Sequence, residues 1–140
     1  MIVLIAFPEL ERSLYEKSAK VHGIDGLHTY YDRVDQLLAR DREPGDTRFP
    51  RVVVVNLDDP ARSWERTLAA LKSRPKWRKI PVIGFGFLDQ ENIVADFYGC
   101  GGASCVRKPD TYQELEDTVK TMMGYWFNLS ILPCDYLREA

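Results

Sequence analysis

The chain has 140 residues, 45% of them hydrophobic and 29% charged, with a formal net charge of −2; this is the profile of one soluble globular domain with material for a core. The mild acidity gives no ground for binding nucleic acid or an anionic membrane surface, and no apolar run approaches the roughly 18–20 residues of a membrane span.

In chain order, IVLIAF (2–7) is an apolar run of strand length stopped by Pro8. ELERSLYEKSAKVHG follows, with Leu10, Leu14, Ala19 and Val21 roughly on one helical face and Gly23 as a stop. GLHTYY (26–31) reads as a weaker, partly polar strand. DRVDQLLAR (32–40) places Val34, Leu37 and Leu38 at helical spacing, and DREPGDTRFP is a polar loop carrying Pro and Gly. RVVVVNLDDP (51–60) contains four consecutive valines, apolar on both faces as a central parallel strand requires, and runs into an acidic turn. SWERTLAALKSR carries Trp64, Leu68 and Leu71 at helical spacing, with Ser63 as candidate N-cap. IPVIGFGF (80–87) is a further buried strand, loosened by Gly84 and Gly86. DQENIVADFYG puts Ile93, Val94 and Phe97 on one helical side and ends at Gly99. ASCVRKP (103–109) is a short strand stopped by Pro109. DTYQELEDTVKTMMGYWFNLSIL opens on a Thr111-x-x-Glu114 capping box and continues with Leu115, Val119, Met122 and Trp126 at helical spacing.

Five β-then-α units with short connections, no repeats and no internal linker predict an α/β fold with an open, doubly wound, five-stranded parallel sheet. Ligands of such sheets sit beyond the carboxyl ends of the strands, at the topological switch point. The segments to inspect are therefore Ala6–Glu9, Asn56–Asp59, Gly86–Leu88 and Arg107–Pro109.

At these segments the chain resembles the receiver domain of bacterial response regulators, the CheY-like branch of the flavodoxin-like folds, over nearly its whole length. VVVVNLDDP is similar to that family's third strand, four apolar residues followed by Asp, three variable residues and Pro. KIPVIGFGF is similar to its fourth strand, which ends in Ser or Thr, and GCGGASCVRKP to the Gly-Ala stretch and fifth strand, which closes with Lys-Pro. The intervals from Asn56 to Gly86 and to Lys108 match the family's. The tail GYWFNLSILP resembles the end of single-domain regulators of the phytochrome-associated type. Residues 1–124 form the expected receiver-like domain unit, and 125–140 a C-terminal extension that packs on it or on a dimer partner.

The resemblance implies two-component signalling by phosphorelay, and a set of working parts. A carboxylate nucleophile accepts the phosphoryl group, and an acidic pair after the first strand helps hold Mg²⁺. A lysine neutralises the transferred charge, and a Ser/Thr hydroxyl couples the phosphate to an aromatic on the fifth strand. This chain keeps one of them, Lys108. Asn56 stands at the acceptor position, and an amide nitrogen is not a nucleophile. Ala6 and Phe7 stand where the acidic pair belongs, Gly86 replaces the hydroxyl and Cys105 the aromatic. Family analogy also makes Lys108–Pro109 a candidate cis bond.

The expectation is a pseudo-receiver without catalytic residues, metal or cofactor, in which Asn56 and Lys108 mark a vestigial acceptor site rimmed by Asp58, Asp59, Gly86 and Cys105. It is not expected to be an enzyme. The alternative is a working regulator that uses Asp58 or Asp59 as acceptor with Mg²⁺. Against that, Pro60 lies four residues after Asn56, and a shifted register restores neither acidic pair nor hydroxyl. Asp58 and Asp59 read first as turn formers, and Glu9 as a complement to a helix dipole rather than a metal ligand. Lys108 reads as a side chain fixed by Asn56 or by strand-end carbonyls, the rival being an anion or a partner's carboxylate.

Other signals are weaker. Cys100 and Cys105 lack C-x-x-C spacing, and Cys105 reads as a small buried residue; GCGG precedes a strand, whereas phosphate cradles open a helix. KSRPKWRK packs five basic residues around Trp77, a nucleic-acid signal in principle, but one basic loop on an acidic chain reads as solvated surface. His22 and His28 are isolated.

The tail is more informative. YWFNLSILPCDYL carries large apolar side chains past the end of the last helix, and those not packed on the domain form a patch for a partner. A homodimer is expected, with Trp126, Phe127, Leu129 and Ile131 contributing, or else a tail folded back on its own domain. A sensor kinase or output protein is the expected partner, with no nucleic acid and no membrane. MIVLIAFPELERS shows neither basic n-region nor cleavage site, so no signal peptide is expected, and the three sparse cysteines, Cys100, Cys105 and Cys134, fit a reducing compartment. The expected location is cytoplasmic.

Overall fold

In a computed structural model of the chain, residues 2–5, 7, 12–13, 16–17, 20, 28–39, 50–133 and 135 are described. Five strands form one parallel sheet in the order β2-β1-β3-β4-β5. They are β1 (Ile2–Ile5), β2 (His28–Tyr31), β3 (Val52–Asn56), β4 (Val82–Gly86) and β5 (Ser104–Arg107). The helices are α1 (Val34–Leu38), α2 (Ser63–Lys72), α3 (Glu91–Gly99) and α4 (Tyr112–Gly124), and a π-helical turn (Tyr125–Leu129) continues α4. Residues 12, 13, 16, 17 and 20 are also helical, within the first helix expected from the sequence. Leu10, Leu14, Ala19, Val21 and Gly23 lie outside the described residues, as do Ala6, Glu9, His22 and Cys134.

β3 is central because its sequence tolerates cover on both faces. Val52, Val53 and Val54 are wholly buried, and alternate valines feed two separate cores. Val53 and Val55 pack with Leu37, Trp64, Leu68, Leu71, Val82 and Phe97, which places α1, α2 and α3 on one face. Val52 and Val54 pack with Phe7, Ile83, Phe85, Leu115, Val119 and Met122, which places α4 on the other. The period of two along the strand thus writes the two-layered cover directly. The edge of Trp64 meets Phe97 at 5.8 Å and 61°. Gly102, between α3 and β5, sits so close that a Cβ there would come within 2.0 Å of the Phe97 ring.

Chain order reverses about β1, which pairs with β2 on one side and β3 on the other. The switch point therefore lies past Ile5 and Val55, beside Asn56. Among the described residues no helix is long and apolar enough to cross a membrane.

Three local expectations change. Ser63 is the first residue of α2 rather than its cap; the N-cap is Arg62, in the left-handed region at φ 50°, and the Ser63 hydroxyl donates instead to Asp59. No peptide bond is cis among the described residues, so Lys108–Pro109 is trans. Trp77 is 6% exposed, because turns at Trp77–Arg74 and Ile80–Trp77 fold the loop under, and its ring joins the core of α2. The aromatic of the basic loop is thus not available to stack on a base. One half of the expected capping box of α4 is seen, with the Thr111 hydroxyl accepting from the Glu114 N–H at 3.3 Å.

Candidate functional site

The carboxyl ends of β3, β4 and β5 bring residues 56, 86 and 107 together, with Asn56 paired to Phe85 and Gly86 to Arg107 in register. Asn56 is 8% exposed. Its side-chain oxygen accepts from the Asp58 N–H at 2.9 Å, an Asx turn that bends the chain back over the strand end. The turn swings the Asp58 carboxylate inward. One of its oxygens accepts from the Phe87 N–H at 3.0 Å, and the other lies 3.4 Å from the Lys108 ammonium.

Lys108 is held on several sides. Its backbone N–H donates to the Gly86 carbonyl at 2.7 Å, its side chain is only 10% exposed, and its ammonium lies 4.9 Å from the centre of the Phe87 ring. A cation over an aromatic face and beside a carboxylate is satisfied twice over. Gly86 completes the arrangement: a Cβ there would stand 2.7 Å from Oδ1 of Asp58, so the space a hydroxyl side chain needs is already filled.

Asp59 turns the other way, accepting from the Ala61 N–H at 3.2 Å and from Ser63 at the start of α2. With Asp58 it lines a cleft of about 310 Å³ whose walls also include Leu88, Asp89 and Ile93. Cys105 is paired with Gly84, two residues below Gly86, and packs against the core on the α1–α3 face. Its N–H donates to the Tyr98 hydroxyl at 3.0 Å, and burial pushes its thiol pKa up. Of the residues singled out from the sequence, Asn56, Asp58, Gly86 and Lys108 come together, while Asp59 and Cys105 stand apart from that contact.

The site does not suit Mg²⁺. Phe7 is buried against Phe85, ring centres 6.2 Å apart, and the side chain of Ala6, outside the described residues, carries no ligating atom. Among the described residues no three His, Cys, Asp or Glu side chains cluster as metal ligands.

The tail divides in two. Trp126 and Phe127 pack on the α4 core, whereas Leu129 and Ile131 are 75% and 74% exposed. Arg51, just before β3, fastens the segment: Nε donates to the Trp126 carbonyl at 2.7 Å, Nη2 to the Ser130 carbonyl at 2.9 Å, and Nη1 pairs with Asp135. Sequence reasoning missed Arg51; the signal was a cation abutting an otherwise apolar strand.

Solved structures share this architecture. The phosphorylated cyanobacterial phytochrome response regulator RcpA is similar with a TM-score of 0.80, across 94% of this chain and 96% of its own, at 18% identity. The chain has the receiver fold. The Mn²⁺-bound form of the response regulator Rcp1 is similar with a TM-score of 0.79, across 94% and 97% of the two chains, at 20% identity. RPA3017, a response regulator in red light signalling of R. palustris, reaches 0.75 across 94% and 97%, at 19% identity. No protein-family model matches the sequence, and no curated protein does. Identities of 18–20% carry the receiver fold and leave the activity to be argued from the site.

Proposed function

We propose that this receiver-fold chain is a cytoplasmic signalling module of a two-component-type system that acts through protein–protein contact, without phosphoryl transfer and without enzymatic activity of its own. The observation that carries the reading is Asn56, buried at the end of β3 with its amide oxygen spent on the Asp58 N–H. An amide at that position offers neither the charge nor the nucleophile that phosphoryl transfer to a side chain needs. RcpA is phosphorylated and Rcp1 binds Mn²⁺; this chain has Asn at 56 and Ala-Phe at 6 and 7. Contact surface is available instead. Leu129, Ile131 and the half-exposed Tyr125 form an apolar stretch beside α4, which supports pairing of two copies or docking of a sensor kinase or output protein.

One observation favours a second reading. Asp58 lies beside Lys108, where a shifted acceptor would find its cation. Against it, both Asp58 oxygens are engaged, and no metal cluster accompanies them among the described residues. Intact-mass measurement after incubation with acetyl phosphate and Mg²⁺ decides between the two: an unchanged mass is expected, and a phosphoryl adduct mapped to Asp58 or Asp59 makes the chain a working switch.

A further inference from the structure

We infer that Asp58 is a built-in anion of the site, its side chain 31% exposed and its carboxylate meeting Lys108 in place of a transferred phosphoryl group and holding the loop after β4 through the Phe87 N–H. The inference rests on the reading of residue 56 as a non-acceptor and adds how the site is held without phosphorylation.

An anion placed above the end of β3 has two kinds of donor to meet: the ammonium of Lys108, reaching over from the end of β5, and backbone N–H groups where β4 runs into its loop. Asp58 takes one of each, Lys108 at 3.4 Å and the Phe87 N–H at 3.0 Å. Nothing in β3 itself forces this. A turn aspartate is free to face solvent, and Asp59, its neighbour, faces α2 instead. Asp58 is brought in by the Asx turn from Asn56, a turn that an amide and a carboxylate oxygen both make but that leaves an uncharged group beside the incoming carboxylate only when residue 56 is Asn. Were residue 56 an aspartate, the same turn would set a second negative charge at the site beside Asp58, and like charges disfavour each other.

Gly86 is the second observation. The fourth-strand position where receivers carry a hydroxyl is here a residue whose Cβ would meet the Asp58 carboxylate at 2.7 Å and Cβ of Leu57 at 3.2 Å. A side chain at 86 and the carboxylate in its present place compete for the same space, so one of them must shift. Asn56, Asp58, Gly86 and Lys108 are therefore one arrangement, and its output is the loop beyond. Phe87 is tied through its N–H to Asp58 and through its ring to Lys108, and Leu88 follows in the left-handed region at φ 58°, a conformation costly for a leucine. Such a backbone persists only where neighbours hold it, and the Phe87–Asp58 bond is a tie adjacent to it, beside a longer one from Arg107 to the Phe87 carbonyl at 3.4 Å.

Amide hydrogen exchange of Phe87 by NMR tests this, with the amides of Val54 and Val55 in β3 as internal reference. In Asp58→Ala, Phe87 exchange is expected to rise tenfold or more over the natural chain while the β3 amides stay as they were; a smaller rise overturns the inference. Gly86→Ser, with Asp58 present, is expected to speed Phe87 exchange as well, since the new Cβ displaces the carboxylate, and unchanged protection there overturns it too. Asp58→Asn keeps an acceptor but drops the charge: exchange faster than natural shows that the anion is used, and exchange equal to natural reduces Asp58 to an ordinary turn residue. Failure of the underlying reading looks different, namely a phosphoryl adduct on the natural chain, whatever Phe87 does.

Discussion

Arg51→Ala should detach the C-terminal segment while sparing the sheet. Arg51 is 11% exposed in its side chain and makes three contacts with residues 75 to 84 positions away. Two are charged donors to backbone carbonyls, at 2.7 and 2.9 Å, and bonds of that type are worth about 1.5–3 kcal/mol each. Truncation leaves both carbonyls to water, which reaches the segment once it loosens, so the lower half of that range applies. The Asp135 partner is 32% exposed, and screening reduces its contribution to about 0.5–1 kcal/mol. The sum is a loss of about 3.5–5.5 kcal/mol, a large fraction of the stability of a domain this size. Urea unfolding followed by tryptophan fluorescence measures it, since Trp126 reports the segment and Trp64 the core. Arg51→Lys should recover about 1 kcal/mol, because an ammonium reaches one carbonyl and lacks the planar fork. Arg51 and Asp135 should couple by less than about 1 kcal/mol in a double-mutant cycle. A loss below about 0.5 kcal/mol for Arg51→Ala would refute the reasoning and class the contact with ordinary surface pairs.

Three further outcomes follow from the same geometry. Hydrogen bonds from Lys17 and then Lys120 hold the Glu116 carboxyl below its ordinary value of 4.5, so its contribution is fully present above that value and is lost as pH falls through the lower, folded one; Glu116→Gln should flatten acid unfolding over that window, as read by circular dichroism. Gly102→Ala sets a Cβ 2.0 Å from the Phe97 ring and should cost about 1–3 kcal/mol by overpacking, measured by thermal melting. Leu129→Asp with Ile131→Asp, at side chains 75% and 74% exposed, should leave the melting temperature within about 2 °C yet shift the mass in light scattering from dimer to monomer; a natural chain already monomeric at high concentration refutes pairing of copies.

The fold was legible wherever local pattern and tertiary role agree. Four β-branched residues in VVVVN admit only a strand covered on both faces, and the Thr111–Glu114 cap is written in adjacent residues. Legibility stopped where a side chain had a choice settled by distant partners. Ser63 is a good N-cap by type, yet Asp59 engages its hydroxyl and Arg62 takes the cap. Trp77 lies among exposed basic residues, and only the turn that folds it under α2 makes it core. At the site, the amide at 56 was plain from one letter, but the direction of Asp58 was not. Its partners arrive from the ends of two other strands, at Phe87 and Lys108, and nothing in LDDP distinguishes the aspartate that turns in from the one that turns out.

That difference changes how the departures from the receiver pattern should be weighed. Taken one by one along the chain, an amide at 56, a glycine at 86 and a surviving lysine at 108 look like separate accidents, each removing or sparing a part. In three dimensions they fit one another: the amide makes room for a neighbouring charge, the glycine makes room for its oxygens, and the lysine gives that charge a partner. Paired with Asp58 at 3.4 Å and set over the Phe87 ring, Lys108 makes a fixed structural contact at the end of β5. A phosphoryl group comes and goes, and its loop with it, whereas a side-chain carboxylate stays. On this reading the loop after β4 is set at folding, and what varies in use is whether a partner is present on the surface beside α4.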